Sequence, residues 1–446
     1  MGIQICAVGG YNEVGRNMTA VRIDDEVVII DMGLHMENYV HYTEDEFFTK
    51  VDPKKLIEVQ AAPDISKIDD WKPYVKAIVP SHAHLDHCGA IPYLSNEFNS
   101  PIICTPFTAE IIKAAVQDEK IKLHNKIKTL SPNSYYNISE SIKLEFVHVT
   151  HSIPQAVMVV LHTKYGNIVY AIDFKFDRSP TLGREPNFRR LHELGEKGIV
   201  LLIVECTYAG DAKKMPSESV AKEMLKDVLI GTNNKNKAVI VTTFSSHIAR
   251  LKSIIELGKK LNRKIVFMGR SLAKYVAAAE KIGIVKFSKE IEIVKYANQI
   301  KRKLKQIMAS GKGKYLLVVT GHQGEQNALL SKMVEGKFNF KFDHEDHVVF
   351  SCNVIPTETN KTNREKLEDS LKNFKVRIFK DIHISGHAAR EDLRDLINIL
   401  RPVNIVPGHG NPSQTVALYD LAREMGYKRG NIILLENSQR ATIPKQ

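Results

Sequence analysis

The chain is short of the features that mark secreted, membrane-embedded or disulfide-stapled proteins. It has five cysteines, Cys6, Cys88, Cys104, Cys206 and Cys352, odd in number, scattered and without a Cys-x-x-Cys pair. That argues against a disulfide framework and a thiolate zinc site, and for reduced thiols in a cytoplasmic protein. Long hydrophobic runs are missing as well. The apolar stretches at 199–204 and 348–350 fall far short of the roughly 20 residues that cross a bilayer, so no membrane partner is expected. No basic segment and cleavage site open the chain; residues 3–8 already read as a strand, and no secretion signal is expected. Internal repeats and low-complexity tracts are absent too, which excludes solenoid and linker-like architectures.

What is present is ordinary globular composition, 43% hydrophobic and 26% charged, over a length that suits two domains or one with a large insertion. The formal charge is +12, from 63 Lys and Arg against 51 Asp and Glu. A basic surface attracts polyanions, nucleic acid first.

Residues 1–207 read as many short strands and few helices. Strands fit 4–8, 18–23, 27–30, 77–79, 101–104, 144–150, 156–162, 168–172 and 200–205; helices fit 89–98 and 109–117. Two sheets between helical layers would bury such a pattern. From 208 to 373 strands and helices alternate, which predicts a second α/β domain with a parallel sheet. Its basic stretch, Lys295, Lys301, Lys303, Lys305, Lys312 and Lys314, fits a solvated helix face slightly better than a specific binding surface. Residues 374–446 return to the first domain, with a strand at 375–379, a helix at 390–400, a strand at 404–407 and a last helix–strand pair.

The most informative stretch is Ser81-His82-Ala83-His84-Leu85-Asp86-His87. It follows an apolar strand and packs three imidazoles and a carboxylate into six residues. Neither core packing nor surface solvation favours that density, whereas zinc or manganese takes such ligands. Three more candidates each follow an apolar strand: His151, Asp173 and His409. With Asp173 bridging, one ion would take His82, His84, His151 and Asp173, and the other Asp86, His87, Asp173 and His409. Taken singly, His151, Asp173 and His409 are ordinary loop residues; the combination carries the weight.

These four elements resemble the metallo-β-lactamase superfamily, whose first motif Asp31 matches in Ile29-Ile30-Asp31-Met32-Gly33. The inserted domain resembles the β-CASP insertion, with Glu205, His387 and His409 at its motif positions. Gly9-Gly10-Tyr11-Asn12-Glu13-Val14-Gly15-Arg16-Asn17-Met18, Thr243-Phe244-Ser245-Ser246-His247-Ile248-Ala249-Arg250, Gly269-Arg270-Ser271, Gly321-His322-Gln323-Gly324-Glu325 and His383-Ile384-Ser385-Gly386-His387-Ala388 are similar to the ribonuclease J family. The chain departs from that family at Ile172, where glycine is usual, at Asn411, where Glu is common, and at His247, where bacterial members often have Asn. It is also expected to lack their extra C-terminal domain.

The resemblance implies an α/β fold, an αββα metallo-β-lactamase sandwich with an inserted β-CASP domain. It implies two Zn2+ per chain, with Mn2+ left open. It implies cleavage of single-stranded RNA from a 5′-monophosphate end, 5′→3′, by water attack that leaves 5′-phosphate and 3′-hydroxyl products. Asp31, Asp86, Glu205 and His387 are the expected catalytic residues. His387 would protonate the leaving oxygen, Glu205 would orient it, and Asp31 would hold a ligand histidine. Ser245, Ser246, His247, His383, Ile384, Ser385, Gly386 and His387 would bind the 5′-phosphate and RNA, which would enter between the two domains. A homodimer is left open. Two rivals are an endoribonuclease of the cleavage-and-polyadenylation-factor type, with the same metal centre, and a catalytically silent RNA-binding subunit, a class that typically loses the metal ligands this chain keeps. The inserted domain and the basic charge speak against a small-molecule metallohydrolase.

Overall fold

In a computed structural model, residues 2–43 and 50–444 are described. They divide into two compact units: 1–177, 185–215 and 386–446 form the first, and 178–184 with 216–385 the second.

The first unit holds two sheets. One has seven strands, running from the edge strand Arg440–Ile443 through Ile3–Gly9, Met18–Ile23, Glu26–Ile30, Val75–Val79 and Ile102–Cys104 to Ile127–Thr129. The other has six, in the order Asn404–Gly408, Ile199–Glu205, Gly166–Ala171, Val157–Thr163, Lys143–His148 and Ser134–Asn137. Strand periodicity explains the layering. In Glu26–Ile30, Val28 and Ile30 join the core between the sheets, while Val27 and Ile29 face outward with Trp71, Ile91 and Phe98. In Gly166–Ala171, Ile168 and Tyr170 enter the inter-sheet core, while Val169 and Ala171 meet Leu191, Leu393 and Leu418 of the outer helices. Strands apolar on both faces need cover on both faces, so the result is an αββα sandwich. Ile199–Glu205 is buried at every position and pairs in parallel with strands on both sides.

The second unit is built on a six-stranded, wholly parallel sheet, ordered Glu292–Val294, Lys264–Met268, Tyr315–Val319, Val239–Thr242, His347–Phe350 and Arg377–Phe379. Its core joins the sheet to apolar residues of the helices Ala297–Ser310, Leu329–Val334 and Glu358–Asn373.

Three expectations change. The helix at 89–98 is broken into Leu85–Cys88, Ile91–Leu94 and a 3-10 turn at Ser95–Glu97. Gly89 ends the first, and Pro92 stands in the first turn of the second, where a missing N–H costs nothing. The strand assigned at 375–379 to the returning segment is Arg377–Phe379, which pairs with His347–Phe350 and so extends the inserted sheet. The second compact unit accordingly takes in 178–184 and 216–385, where the inserted domain was expected over 208–373, and 208–215 lies with the first unit.

Candidate metal centre

The site gathers at the ends of five strands of the first unit. Asp31 follows Glu26–Ile30, the His82–His87 loop follows Val75–Val79, and His151 lies beyond Lys143–His148. Asp173 follows Gly166–Ala171, and His409 follows Asn404–Gly408.

The seven expected ligands come together as two sets with one shared member. Donor atoms of His82, His84, His151 and Asp173 lie within 4.8 Å of one another, as do those of Asp86, His87, Asp173 and His409. Asp173 stands between them. Its Oδ2 is 3.4 Å from His82 Nε2 and His151 Nε2 and 3.2 Å from His87 Nε2, while its Oδ1 is 3.4 Å from His409 Nε2. Oδ1 is buried and accepts no hydrogen bond from any described residue. A buried carboxylate oxygen left so is costly unless a cation takes it up, so the donor set fits divalent ions.

Each of four ligand imidazoles is anchored through the nitrogen that faces away from the centre. His87 Nδ1 meets Asp31 Oδ2 at 2.7 Å, and His151 Nδ1 donates to Gly386 O at 2.7 Å. His409 Nδ1 lies 3.0 Å from Asn17 Oδ1, and His82 Nδ1 lies 3.0 Å from Ser81 Oγ. Such partners fix tautomer and ring direction. Asp31 is itself locked: it accepts the Ser81 amide at 2.7 Å, the Ser81 hydroxyl at 3.1 Å and the Tyr170 hydroxyl at 2.8 Å, all out of solvent.

Electrostatics suit the same use. Burial, with neighbouring imidazoles, holds His84 and His82 below the usual histidine range. Burial also holds His151 well below it. These rings stay neutral, as ligands must. Burial alone would raise Asp173, yet the charges of His409, His387 and His87 hold it far below the usual carboxylate range.

Beside Asp173 sits the Glu205–His387 pair. Glu205 is wholly buried, accepts the Phe174 amide at 2.8 Å through Oε1, and meets His387 Nδ1 at 2.7 Å through Oε2. Burial would lower His387; Asp173 and Glu205 outweigh it and hold the imidazole up to about 10. Asp173, Glu205 and His387 form a third group close enough to hold a cation.

Two glycines permit the close approach. A Cβ on Gly33 would collide with the Asp86 carbonyl. One on Gly386 would stand 2.7 Å from Ser152 N and 2.9 Å from His151 Nδ1.

The residues expected at the RNA 5′ end are divided. Gly386 and His387 belong to the first unit, and Ser245, Ser246, His247, His383, Ile384 and Ser385 to the second. There Ser245 Oγ lies 2.9 Å from Ser271 Oγ. His247 is buried, caps the helix Ile248–Lys260 and faces Glu218 at 3.4 Å. The His383 ring centroid lies 6.2 Å from that of Phe244. Arg250, fully buried, ties these segments together. It grips Glu218 with two hydrogen bonds of 2.5 and 2.8 Å and donates to Ser351 O at 3.0 Å and Ile382 O at 3.2 Å.

Sequence reasoning gave no role to Asn17, Ser81, Tyr170 or Arg250. Asn17 and Arg250 lie inside motifs quoted for the resemblance, and Ser81 precedes the histidine run. Tyr170 reads simply as strand core and carries no signal.

Comparison with known proteins agrees along the whole chain. Residues 11–226 match the metallo-β-lactamase superfamily, 236–367 the ribonuclease J β-CASP domain, and 373–433 a Zn-dependent metallo-hydrolase RNA specificity domain. Ribonuclease J of Methanocaldococcus jannaschii is 43% identical over 98% of both chains. Ribonuclease J of Pyrococcus abyssi is 40% identical, over 99% of this chain and 97% of its own. Ribonuclease J 1 of Streptococcus pyogenes is 29% identical over 98% of this chain and 73% of its own. A crystal structure of a protein of unknown function from Enterococcus faecalis V583 shares the fold, with a TM-score of 0.66 at 19% identity over 99% of this chain and all of that one. On the sandwich, the inserted sheet and these relatives, the chain belongs to the ribonuclease J family of metallo-β-lactamase-fold ribonucleases.

Proposed function

We propose that the protein is a zinc-dependent ribonuclease that degrades single-stranded RNA 5′→3′ from a 5′-monophosphate end, releasing nucleoside 5′-monophosphates. The observation that carries this is the pair of four-donor sets sharing Asp173, with the Glu205–His387 pair against it. His82, His84, His151 and Asp173 would hold one Zn2+, and Asp86, His87, Asp173 and His409 the other; Mn2+ fits the same donors. Cations there supply a nucleophile from water near neutral pH and offset charge on the phosphoryl oxygens.

His387 gives its Nδ1 to Glu205, so its other ring nitrogen is the one that can protonate the leaving 3′-oxygen. A pKa held up to about 10 keeps the proton in place at neutral pH, and a cation on Asp173 would draw that value down toward the range where an acid also gives its proton up. Attack by water does not use the 2′-hydroxyl. Ser245, Ser246, His247, His383, Ile384, Ser385, Gly386 and His387 would receive the 5′-phosphate and the first nucleotide. The net charge of +12 suits a polyanionic substrate. Five buried, free cysteines suit a reducing cytoplasm. No helix of the described residues is long and apolar enough to cross a membrane.

The test is metal analysis of the purified protein together with digestion of one labelled RNA bearing 5′-hydroxyl, monophosphate or triphosphate. The expected result is two zinc ions per chain and mononucleotides from the first time point, fastest with monophosphate. Discrete internal fragments would make it an endonuclease, and intact RNA with no bound metal would overturn the reading.

A further inference from the structure

The lysine run of the second unit has more order than a solvated face requires. Residues 295–305, Lys-Tyr-Ala-Asn-Gln-Ile-Lys-Arg-Lys-Leu-Lys, contain five cations and no acid. The helix Ala297–Ser310 buries Ile300, Leu304 and Ile307. Lys301, Lys305 and Arg302 therefore share an arc of about 100° on the opposite side. All three are exposed, and no described carboxylate pairs with them, whereas Lys303, on the flank, reaches Glu292 at 2.5 Å. A merely solvated helix usually interleaves its cations with Glu or Asp one turn away; this one does not.

Just before the helix stands Tyr296, 54% exposed, with Lys295 Nζ 5.2 Å from its ring centroid. No other Tyr, Phe or Trp among the described residues is so exposed. Its position also matters. Lys295 and Tyr296 leave the carboxyl end of the edge strand Glu292–Val294, and in open parallel sheets ligands bind along the carboxyl ends of the strands. The neighbouring turn is joined to it by Gly269 N donating to Val294 O at 3.0 Å, and that turn carries exposed Arg270 and the Ser271 that meets Ser245. From Val239–Thr242 to Glu292–Val294 is three strand spacings, roughly 14 Å.

We infer that Tyr296, with Lys295, Lys301, Arg302 and Lys305, is a platform for single-stranded RNA, the ring stacking on a base and the cations lying along phosphates. RNA rather than an acidic protein segment is favoured because the patch pairs its charge with an exposed aromatic ring, on which a base can stack. The inference rests on RNA being the substrate, which the proposed function supplies.

The test is fluorescence anisotropy of the full chain in EDTA with a 5′-hydroxyl, labelled 20-nucleotide oligouridylate. Tyr296→Ala should weaken binding about tenfold, the lower end of what one stacked base contributes. Lys301→Ala/Arg302→Ala/Lys305→Ala should lower the slope of log affinity against log salt by about 2, near 0.7 per lost phosphate contact. Alanine keeps the helix, and a melting curve matching the parent's checks that it does. Affinity within twofold of the parent's for Tyr296→Ala, together with a slope within about 0.5 of the parent's for the triple variant, less than one phosphate contact, would overturn the platform. So would unchanged RNA binding with lost binding of a poly-glutamate peptide, which would assign the face to an acidic protein. RNA cleavage by the unaltered protein is a separate measurement; its failure would sink the nuclease reading and leave this binding comparison intact.

Discussion

Asp31→Asn separates the two proposed ions. Asp31 accepts four hydrogen bonds at once, from the Ser81 amide and hydroxyl, the Tyr170 hydroxyl and His87 Nδ1. Asparagine is isosteric but has one oxygen. If that oxygen keeps the Ser81 amide at the base of the loop, the NH2 group points at His87 Nδ1 and Tyr170. His87 must then turn to the tautomer that accepts at Nδ1, which protonates Nε2, the nitrogen aimed at Asp173. A protonated Nε2 cannot bind a metal. The direct loss falls on the set of Asp86, His87, Asp173 and His409; the other set feels the change only through Ser81, whose hydroxyl meets both Asp31 Oδ2 and His82 Nδ1. Removing such an outer partner typically costs 10–100-fold in metal affinity, about 1.4–2.8 kcal/mol. The assay is zinc competition against a chromophoric chelator. One of two equivalents should be stripped at 10–100-fold lower chelator, with the second shifted less. Two equivalents shifting together, or neither, would refute the tautomer argument.

Other expectations follow from the same geometry. His387→Ala should reduce kcat by roughly 10²–10⁴ with metal content unchanged, and Glu205→Gln should act in the same direction; loss of an ion instead would make His387 a ligand through the Asp173, Glu205 and His387 group. His383→Ala or Ser246→Ala should reduce the preference for 5′-monophosphate over 5′-triphosphate RNA, and an unchanged preference would defeat the pocket assignment. Glu145 is buried; burial would raise it, but hydrogen bonds from His162 and Arg190 bring it from 4.5 to about 2. A depressed carboxylate stabilises the fold above its unfolded pKa and loses that contribution as pH falls from about 4.5 to 2, here on the order of 3 kcal/mol. Melts of Glu145→Gln and the parent should therefore differ most at neutral pH and converge by pH 2; a gap independent of pH would refute the linkage.

Much of the centre was legible because its ligands are dense or punctuated. The His82–His87 loop announces itself, and His151, Asp173 and His409 follow apolar strands whose period is plain. The inserted domain was legible from alternation, but its limits were not. Arg377–Phe379 looks like any short strand, and only its pairing with His347–Phe350 assigns it to the second sheet. The supports were hidden for a different reason. Tyr170 has the pattern of a core tyrosine, and it is one, except that its hydroxyl reaches Asp31 across 139 positions of chain. His247 was grouped with the phosphate donors by its motif; its ring also lies 3.4 Å from buried Glu218, a neighbour no pattern announces.

Backbone conformation was invisible to any pattern. Asp31, Asp173 and His409 have φ of 61°, 60° and 50°, in the left-handed region that L side chains avoid. Each stands at or just past the end of a buried strand, where a glycine would turn at less cost. A glycine carries no ligand, so function holds a costlier residue there, at roughly 1 kcal/mol per position. The strain persists because the strands before them are buried and hydrogen-bonded into their sheets, and because the side chains are held at their far ends, Asp31 by Ser81 and Tyr170 and His409 by Asn17. Asp173 lacks such an anchor at Oδ1. Of the three it is the one whose conformation should depend most on a cation, which makes it the hinge on which metal binding and local stability are coupled.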